Sequence, residues 1–420
     1  MFRYIKSVFA EASIRNRIIF VLFILALTRV LSAIPIPSIS GELVSKFVNN
    51  NAFLSTLNMF TGGGLSTFSI VMLGVQPYIT ASIITQLLTV LSPKIKAMQK
   101  EEGEAGRRRF NQYTRWLSMP LSLLQAYGLL TLFVKSGVVE SMTHTQMLFN
   151  IIVITAGSML MMWLGEIINE KGVGNGVSLI IFAGIIANLP HKMITDMATA
   201  TTAQIPLYIA LAVTFLLVLF GVVYVTEAER PLEVTYAKQA RDYSSNIYTS
   251  SYIPLRLTMA GVIPIIFALS LLMFPQILAQ LLATSSSATA QAFAGTMVNF
   301  LNNTWIYGFF YFVLIVMFTF FYTSVTFDIH KTAEDLQKSG AFIPGHRPGE
   351  STTKYMGDVL TRVTFVGAIF LGLVALLPII LGAVTGIKNI QFGGTSLLIA
   401  VSVIIDLIKK IDAQLTMREY

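Results

Sequence analysis

Long apolar stretches alternate with shorter polar ones along almost the whole chain. Stretches of about 17 to 24 residues, enough to cross a hydrocarbon layer as helix, begin near Arg17, Leu73, Trp116, Gln146, Gly176, Ile205, Leu257, Thr304, Val359 and Phe392. They predict an all-α polytopic membrane protein of ten spanning helices. The first stretch follows Arg3, Lys6, Arg15 and Arg17, as a secretory signal would. No small-residue cleavage site comes after it and nine further spans do, so it predicts an uncleaved first helix.

Composition makes lipid the only suitable solvent: 54% of the 420 residues are hydrophobic and 12% charged. A net charge of +8 invites a nucleic-acid reading, but the basic residues are scattered in loops between apolar stretches. Their distribution sets orientation instead, because cytoplasmic loops retain Lys and Arg. With the N-terminus inside, inner segments hold 24 of the 29 basic residues; Lys46, Lys135, Lys192 and Lys388 lie outside, and Arg29 falls within the first span. The outer stretch 276–303 has no charged residue, and Lys409, Lys410 and Arg418 place the C-terminus inside as well. The absence of cysteine excludes disulfides, thiolate metal sites and a Cys nucleophile. His144, His191, His330 and His346 are dispersed, with no metal-ligand or triad spacing, so neither an enzyme nor a cofactor is expected.

Three inner segments, 94–115, 227–256 and 328–362, are long and mixed in charge. They read either as solvated connectors or as a docking platform for a cytosolic partner. Internal repetition is more specific. Span two carries Gly74-Val75-Gln76-Pro77-Tyr78-Ile79 and span seven Gly261-Val262-Ile263-Pro264-Ile265-Ile266; span five carries Gly176-Val177-Ser178-Leu179-Ile180-Ile181 and span ten Gly394-Thr395-Ser396-Leu397-Leu398-Ile399. Each matched pair runs in opposite directions through the membrane, which predicts an inverted repeat. A helix broken by Gly and Pro is tolerated where it lines a cavity or packs on protein, so spans two, five, seven and ten are the expected pathway walls. They offer branched apolar side chains there: Val75, Ile79, Val177, Ile181, Ile266 and Ile399. No ionisable residue accompanies them, which argues against a proton- or ion-coupled carrier. Asp406, with Lys409 and Lys410 three and four residues on, predicts a helix-surface ion pair. Glu166 lies near the inner end of its span. For Arg29 the expectation is structural: snorkelling, or capping nearby carbonyls near the outer face.

The motifs "AIPIPSI", "NMFTGGGLSTFSI", "LGVQPYITASIITQLLTV", "EEGEAGRRRFNQYTR", "MMWLGEIINEKGVGNGVSLIIFAGI", "MAGVIPIIFA", "KSGAFIPGHRPGEST" and "FGGTSLLI", in this order, closely resemble the SecY family of protein-conducting channels. The resemblance covers almost the whole chain. It implies two inverted five-helix halves, residues 1–202 and 203–420, around a central pore whose ring is formed by the six apolar side chains just named. A dry ring of branched groups excludes hydrated ions while imposing no side-chain preference on a passing polypeptide. It implies a plug at Thr61, Gly62, Gly63, Gly64, Leu65, Ser66, Thr67, Phe68, Ser69 and Ile70, flexibly attached by its glycines. Those glycines do not make a phosphate loop, since no Gly-Lys-Ser/Thr ending follows them.

A lateral gate for signal sequences and nascent membrane helices is implied between spans two and three and spans seven and eight, with Gln86, Gln125 and Thr258 as its polar residues. Thr258 stands where the family more often has asparagine. The inner loops are implied to bind the ribosome or the SecA motor ATPase through Arg230, Lys238, Arg241 and Arg347, although Pro231 replaces one of a doubled arginine. SecE-like and SecG-like membrane subunits, signal peptides, nascent polypeptides and the lipid bilayer complete the implied partners, with no specific nucleic acid beyond ribosomal contact. The implied location is the bacterial cytoplasmic membrane with both termini cytoplasmic. A secondary transporter for a small solute and a structural membrane scaffold are the competing readings; both predict no contact between pore walls and a polypeptide.

Overall fold

The computed structural model describes residues 11–37, 41–50, 52–140, 142–199, 205–236, 251–283, 288–385 and 394–419. A helix stands at each of the ten predicted spans: α1 (Ala12–Ala33), α4 (Gln76–Leu91), α6 (Gly103–Lys135), α7 (His144–Lys171), α8 (Gly176–Thr199), α9 (Ile205–Glu227), α10 (Ile263–Ala283), α12 (Thr304–Thr326), α14 (Glu350–Thr385) and α15 (Gly394–Glu419). Between them lie the shorter helices α2 (Gly41–Asn50), α3 (Ala52–Phe60), α5 (Pro93–Lys100), α11 (Ala288–Asn302) and α13 (Ile329–Lys338), and three strands, β1 (Glu229–Tyr236), β2 (Ser251–Arg256) and β3 (Ala341–Phe342). Among the described residues, segments containing α1, α6, α7, α12 and α14 are long and apolar enough to cross a membrane by length and composition. α4 has 16 residues, about 24 Å at 1.5 Å per residue, and does not cover the full hydrocarbon depth alone.

Large apolar side chains project outward from these helices, including Leu22, Phe23, Leu216, Leu217, Phe220, Trp305, Phe309, Phe365 and Leu373. Phe220 is 70% exposed, and α9 presents Leu216, Leu217, Phe220 and Tyr224 together. Such surface is stable where lipid or another membrane-embedded chain covers it. Proline is correspondingly tolerated inside α6 (Pro120), α10 (Pro275) and α14 (Pro378).

Several boundaries differ from expectation for a physical reason. α6 starts at Gly103 rather than near Trp116, so the arginine-rich segment is helical and runs out of the membrane into water. Arg108 pairs with Glu104 at 2.9 Å one turn away, and a Cβ on Gly106 would lie 2.1 Å from the Met98 carbonyl of α5, so only glycine permits this packing. α14 likewise begins at Glu350, before the predicted Val359, and the uncharged outer stretch contains α11, which packs on α10. The Gly-Val-x-Pro sequences do not interrupt helices; each lies where a helix begins, after a run of turns.

Among the described residues, helices from the first 202 residues meet those of the remainder at several places. α10 packs against both α4 and α6, and α15 packs against α8. One large apolar cluster joins side chains of α1, α4, α7, α8, α10, α12, α14 and α15. A second, made of α2, α3, α6, α7 and residues 65–73, lies wholly before residue 155.

Candidate pore, plug and docking surface

The two Gly-Val-x-Pro starts have the same backbone. Gly74 and Gly261 take φ of +55° and +57°, left-handed values that favour glycine. Their amides donate to the carbonyls three residues back, Val71 at 2.8 Å and Thr258 at 3.1 Å; Ile79 and Ile266 then make the first helical bonds, to Val75 at 3.1 Å and Val262 at 3.2 Å. Pro77 and Pro264 sit at the second helical position, where a missing N–H has no consequence. In the other matched pair, Gly176 and Gly394 are each the first residue of their helix. A Cβ on Gly176 would lie 1.9 Å from the Gly165 carbonyl, so α8 starts tight against α7.

These starts set the predicted ring residues within one cluster. Val75, Ile79, Ile181, Ile266 and Ile399 are buried members, and Val177 packs on it partly buried. Ile181 and Ile399 are fully buried. Branched apolar groups from four helices offer no ligand to an ion that has shed its water.

Residues 61–70 fold back beside this cluster as a compact run of turns. Gly63 N–H donates to Asn58 O (2.8 Å), Thr67 N–H to Gly63 O (3.2 Å) and Ser69 N–H to Gly64 O (2.8 Å). The glycines serve this compaction and not a loose tether, which corrects the expectation: Gly62 and Gly63 have φ of +68° and +90°, and a Cβ on Gly64 would meet Ser69 Oγ at 2.8 Å. Leu65 and Phe68 are buried in the second cluster, with Phe68 edge-on to Phe133 of α6 at 5.6 Å between ring centroids. The "AIPIPSI" motif has a direct part in holding this segment. Ile36 N–H donates to Phe68 O (3.0 Å) and Ile70 N–H to Ile34 O (3.1 Å), an isolated antiparallel bridge that pairs Pro35 with Ser69. Arg29 of α1 also finds a partner here: its Nη1 donates to the Gly62 carbonyl.

At the seam between α4 and α10, Gln76 Nε2 donates to Ser270 Oγ at 3.0 Å. Both residues are buried, and each is one to four positions from a ring residue. Sequence reading missed this bond because the two residues are 194 apart; the visible signal was a glutamine in an otherwise apolar Gly-Val-x-Pro-Tyr-Ile start. The three expected gate residues are not brought together. Gln125 Nε2 reaches Thr80 Oγ1 at 3.5 Å, joining α6 to α4, while Gln86 Nε2 donates to Ser82 within α4. Gln86 borders a cavity of about 550 Å³ shared with Gln99, Arg107, Asn111 and Lys331. Thr258 borders a different one, of about 290 Å³, with Asn175, Arg256, Asp406 and Lys410. Among the described residues, Gln86 Oε1, Gln125 Oε1 and Thr258 Oγ1 are buried without a hydrogen-bond partner.

The second and third inner segments form one unit. β1 pairs antiparallel with β2, Arg230 opposite Leu255, and with β3, Thr235 opposite Phe342, giving the order β2-β1-β3. Leu232, Leu255, Ile343, Met356 and Leu360 make a small core beneath it. Arg230 is exposed on β1, and Arg347 is exposed in the turn between β3 and α14, where its carbonyl accepts from Thr352 Oγ1 at 2.9 Å. Lys238 and Arg241 lie outside the described residues. Asp406 pairs with Lys410 at 2.9 Å as its spacing predicts, whereas Lys409 reaches Glu227 of α9 at 3.0 Å. Glu166 pairs with Arg115 of α6 at 2.6 Å.

Comparison with known proteins accords with this geometry. The sequence matches the SecY family model over residues 69–408. It is 38% identical over 428 residues to the protein translocase subunit SecY of Mycobacterium bovis, covering 97% of this chain and 96% of that protein. It is 40% identical over 432 residues to the protein translocase subunit SecY of Halalkalibacterium halodurans, covering 100% and 99%. Among solved structures, one described as that of a protein conducting channel aligns with a TM-score of 0.64 at 19% identity over 94% of this chain and 91% of that one. Sec61 in the canine ribosome-channel complex from the endoplasmic reticulum aligns at 0.62 and 19% identity, with the same coverage. The protein is a multi-pass membrane channel of the protein-conducting class. It belongs to the SecY family, and its role is that of a translocase channel subunit.

Proposed function

We propose that this chain conducts unfolded secretory polypeptides across the bacterial cytoplasmic membrane and releases apolar segments sideways into it. The observation that carries the reading is the meeting of α4 with α10 and of α8 with α15 around branched apolar side chains, with residues 61–70 packed beside them. Residues 1–202 and 203–420 act as two inverted halves, a reading supported by the shared backbone of the Gly74 and Gly261 starts. Val75, Ile79, Val177, Ile181, Ile266 and Ile399 form the ring, residues 61–70 the plug, and the seam of α4 and α6 with α10 and α12 the lateral gate, with Gln76 and Ser270 joined across it and Gln86, Gln125 and Thr258 as separate polar positions along it. A dry apolar constriction passes a chain by widening and reseals without binding it.

The sheet unit carrying Arg230 and Arg347, together with Lys238 and Arg241 that follow β1 in the sequence, docks the SecA motor or the ribosome. Both termini lie in the cytoplasm, and SecE-like and SecG-like subunits brace the halves. Reconstitution tests this reading: vesicles holding the chain with its co-purified small subunits, supplied with the motor and ATP, protect a secretory precursor from external protease. Equal protection in vesicles lacking the chain contradicts it.

A further inference from the structure

We propose that Arg29 is the latch of the plug, a positioning residue that holds the Gly62 carbonyl in the resting channel and lets go when the plug leaves. The inference rests on the plug reading of residues 61–70. From Ile18 to Ala33, α1 has one charged residue, Arg29, in a segment whose other side chains suit lipid or core. A cation at such a place is costly and persists where a partner satisfies it. Among the described residues its partner is not a carboxylate. Arg29 Nη1 donates to the carbonyl of Gly62, 33 residues on and the second residue of the plug.

The site around this contact is shaped for it. A Cβ on Gly62 would lie 2.7 Å from Arg29 Nη1 and 3.0 Å from Gly184 Cα, and a Cβ on Gly184 would lie 2.8 Å from Gly62 Cα. The start of the plug is therefore clamped between the guanidinium of α1 and the backbone of α8, three residues from Ile181. A residual space of about 10 Å³ beside Arg29, Thr61, Gly62 and Gly184 holds one water at most. Gly62 itself needs φ of +68° to aim its carbonyl at the guanidinium. The same end of α1 and the residues after it hold the rest of the plug: Thr67 Oγ1 donates to Ser32 O at 2.9 Å, and the Pro35–Ser69 bridge closes its far end.

A hydrogen bond from an ionised donor is stronger than a neutral one, so its loss shifts the seated-to-displaced ratio of the plug by about tenfold or more. A carbonyl partner suits a latch better than a carboxylate would. It releases without leaving an anion behind, and the arginine then faces a channel filled by solvent and polypeptide.

The test measures resting ion conductance of the purified complex in planar bilayers, with three variants. Arg29→Met, which keeps the length and loses the donor, is expected to raise resting conductance about tenfold; Arg29→Lys is expected to fall between Met and wild type. Cysteines at Pro35 and Ser69, which face each other in a non-hydrogen-bonded antiparallel pair, are expected to form a disulfide that pins the plug and restores tightness to the Arg29→Met channel, reversibly on reduction. If Arg29→Met leaks and the disulfide does not reseal it, Arg29 supports the fold generally and the latch is overturned. A tight Arg29→Met channel overturns the latch while the plug stands, provided deletion of residues 61–70 leaks. If that deletion is also tight, the plug reading itself fails.

Discussion

The bond from Gln76 Nε2 to Ser270 Oγ, 3.0 Å long, is a hydrogen bond between side chains of α4 and α10. Gln76 is 7% exposed and Ser270 2%, so water competes poorly for either. A neutral buried hydrogen bond contributes about 1 kcal/mol net. If opening separates α4 from α10, Ser270→Ala destabilises the closed seam by that amount and raises the open-to-closed ratio roughly fivefold. Gln76→Leu acts in the same sense, and because the two changes share this bond the double variant falls short of the sum of the singles. Open probability in single-channel records at a fixed voltage reads this cycle directly, and the rate of translocation of a precursor with a weakened signal provides a second readout. Additive effects in the double variant, or unchanged open probability in Ser270→Ala, would refute the claim that this bond holds the gate.

Three further outcomes follow from the same geometry. Arg347→Glu reverses an exposed charge and leaves the bond from Thr352 Oγ1 to the backbone carbonyl in place, so it should abolish motor-driven translocation in vesicles while resting conductance stays at the wild-type level. Met356→Ala removes a fully buried side chain from the small core under β1, and a loss of about 2–5 kcal/mol there should make residues 229–256 and 341–349 faster targets for limited proteolysis, with the spans still protected. Ile79→Asn puts an amide into the ring and hydrates it; resting conductance should rise, whereas Ile79→Leu should leave it unchanged.

What could be read from the chain was whatever is local. Spans follow from runs of apolar residues, because a membrane helix satisfies its backbone within one segment, and the predicted starts at Gly176, Ile205 and Thr304 coincide with those of α8, α9 and α12. The short matched motifs single out six apolar positions that pack in or on one cluster, and Gly74 and Gly261 share a left-handed φ and the same turn bonding. Less legible was anything that depends on distant partners. The bond of Gln76 spans 194 residues, the partner of Arg29 is a backbone carbonyl with no sequence signature, and the β1–β3 pairing joins two inner loops separated by α10 and α12. The basic segment before Trp116 was read as loop because its charge hides a helix whose surface pairs, Arg108 with Glu104, are themselves charged. Gly62, Gly63 and Gly64 suggest flexibility in the sequence, whereas the positive φ of Gly62 and Gly63 and the close contacts of all three show a packed turn.

That a polypeptide passes through the apolar ring to which Ile79 of α4 and Ile266 of α10 contribute is the central proposal, and the absence of cysteine allows it to be measured cleanly. A single cysteine replacing Ile79 or Ile266 is introduced, and a secretory chain bearing a thiol-reactive probe is stalled midway through transit. The account predicts an adduct at each site, dependent on the motor and on the length of chain inserted. Adducts at neither site, with the stalled chain still protected from protease, would contradict it.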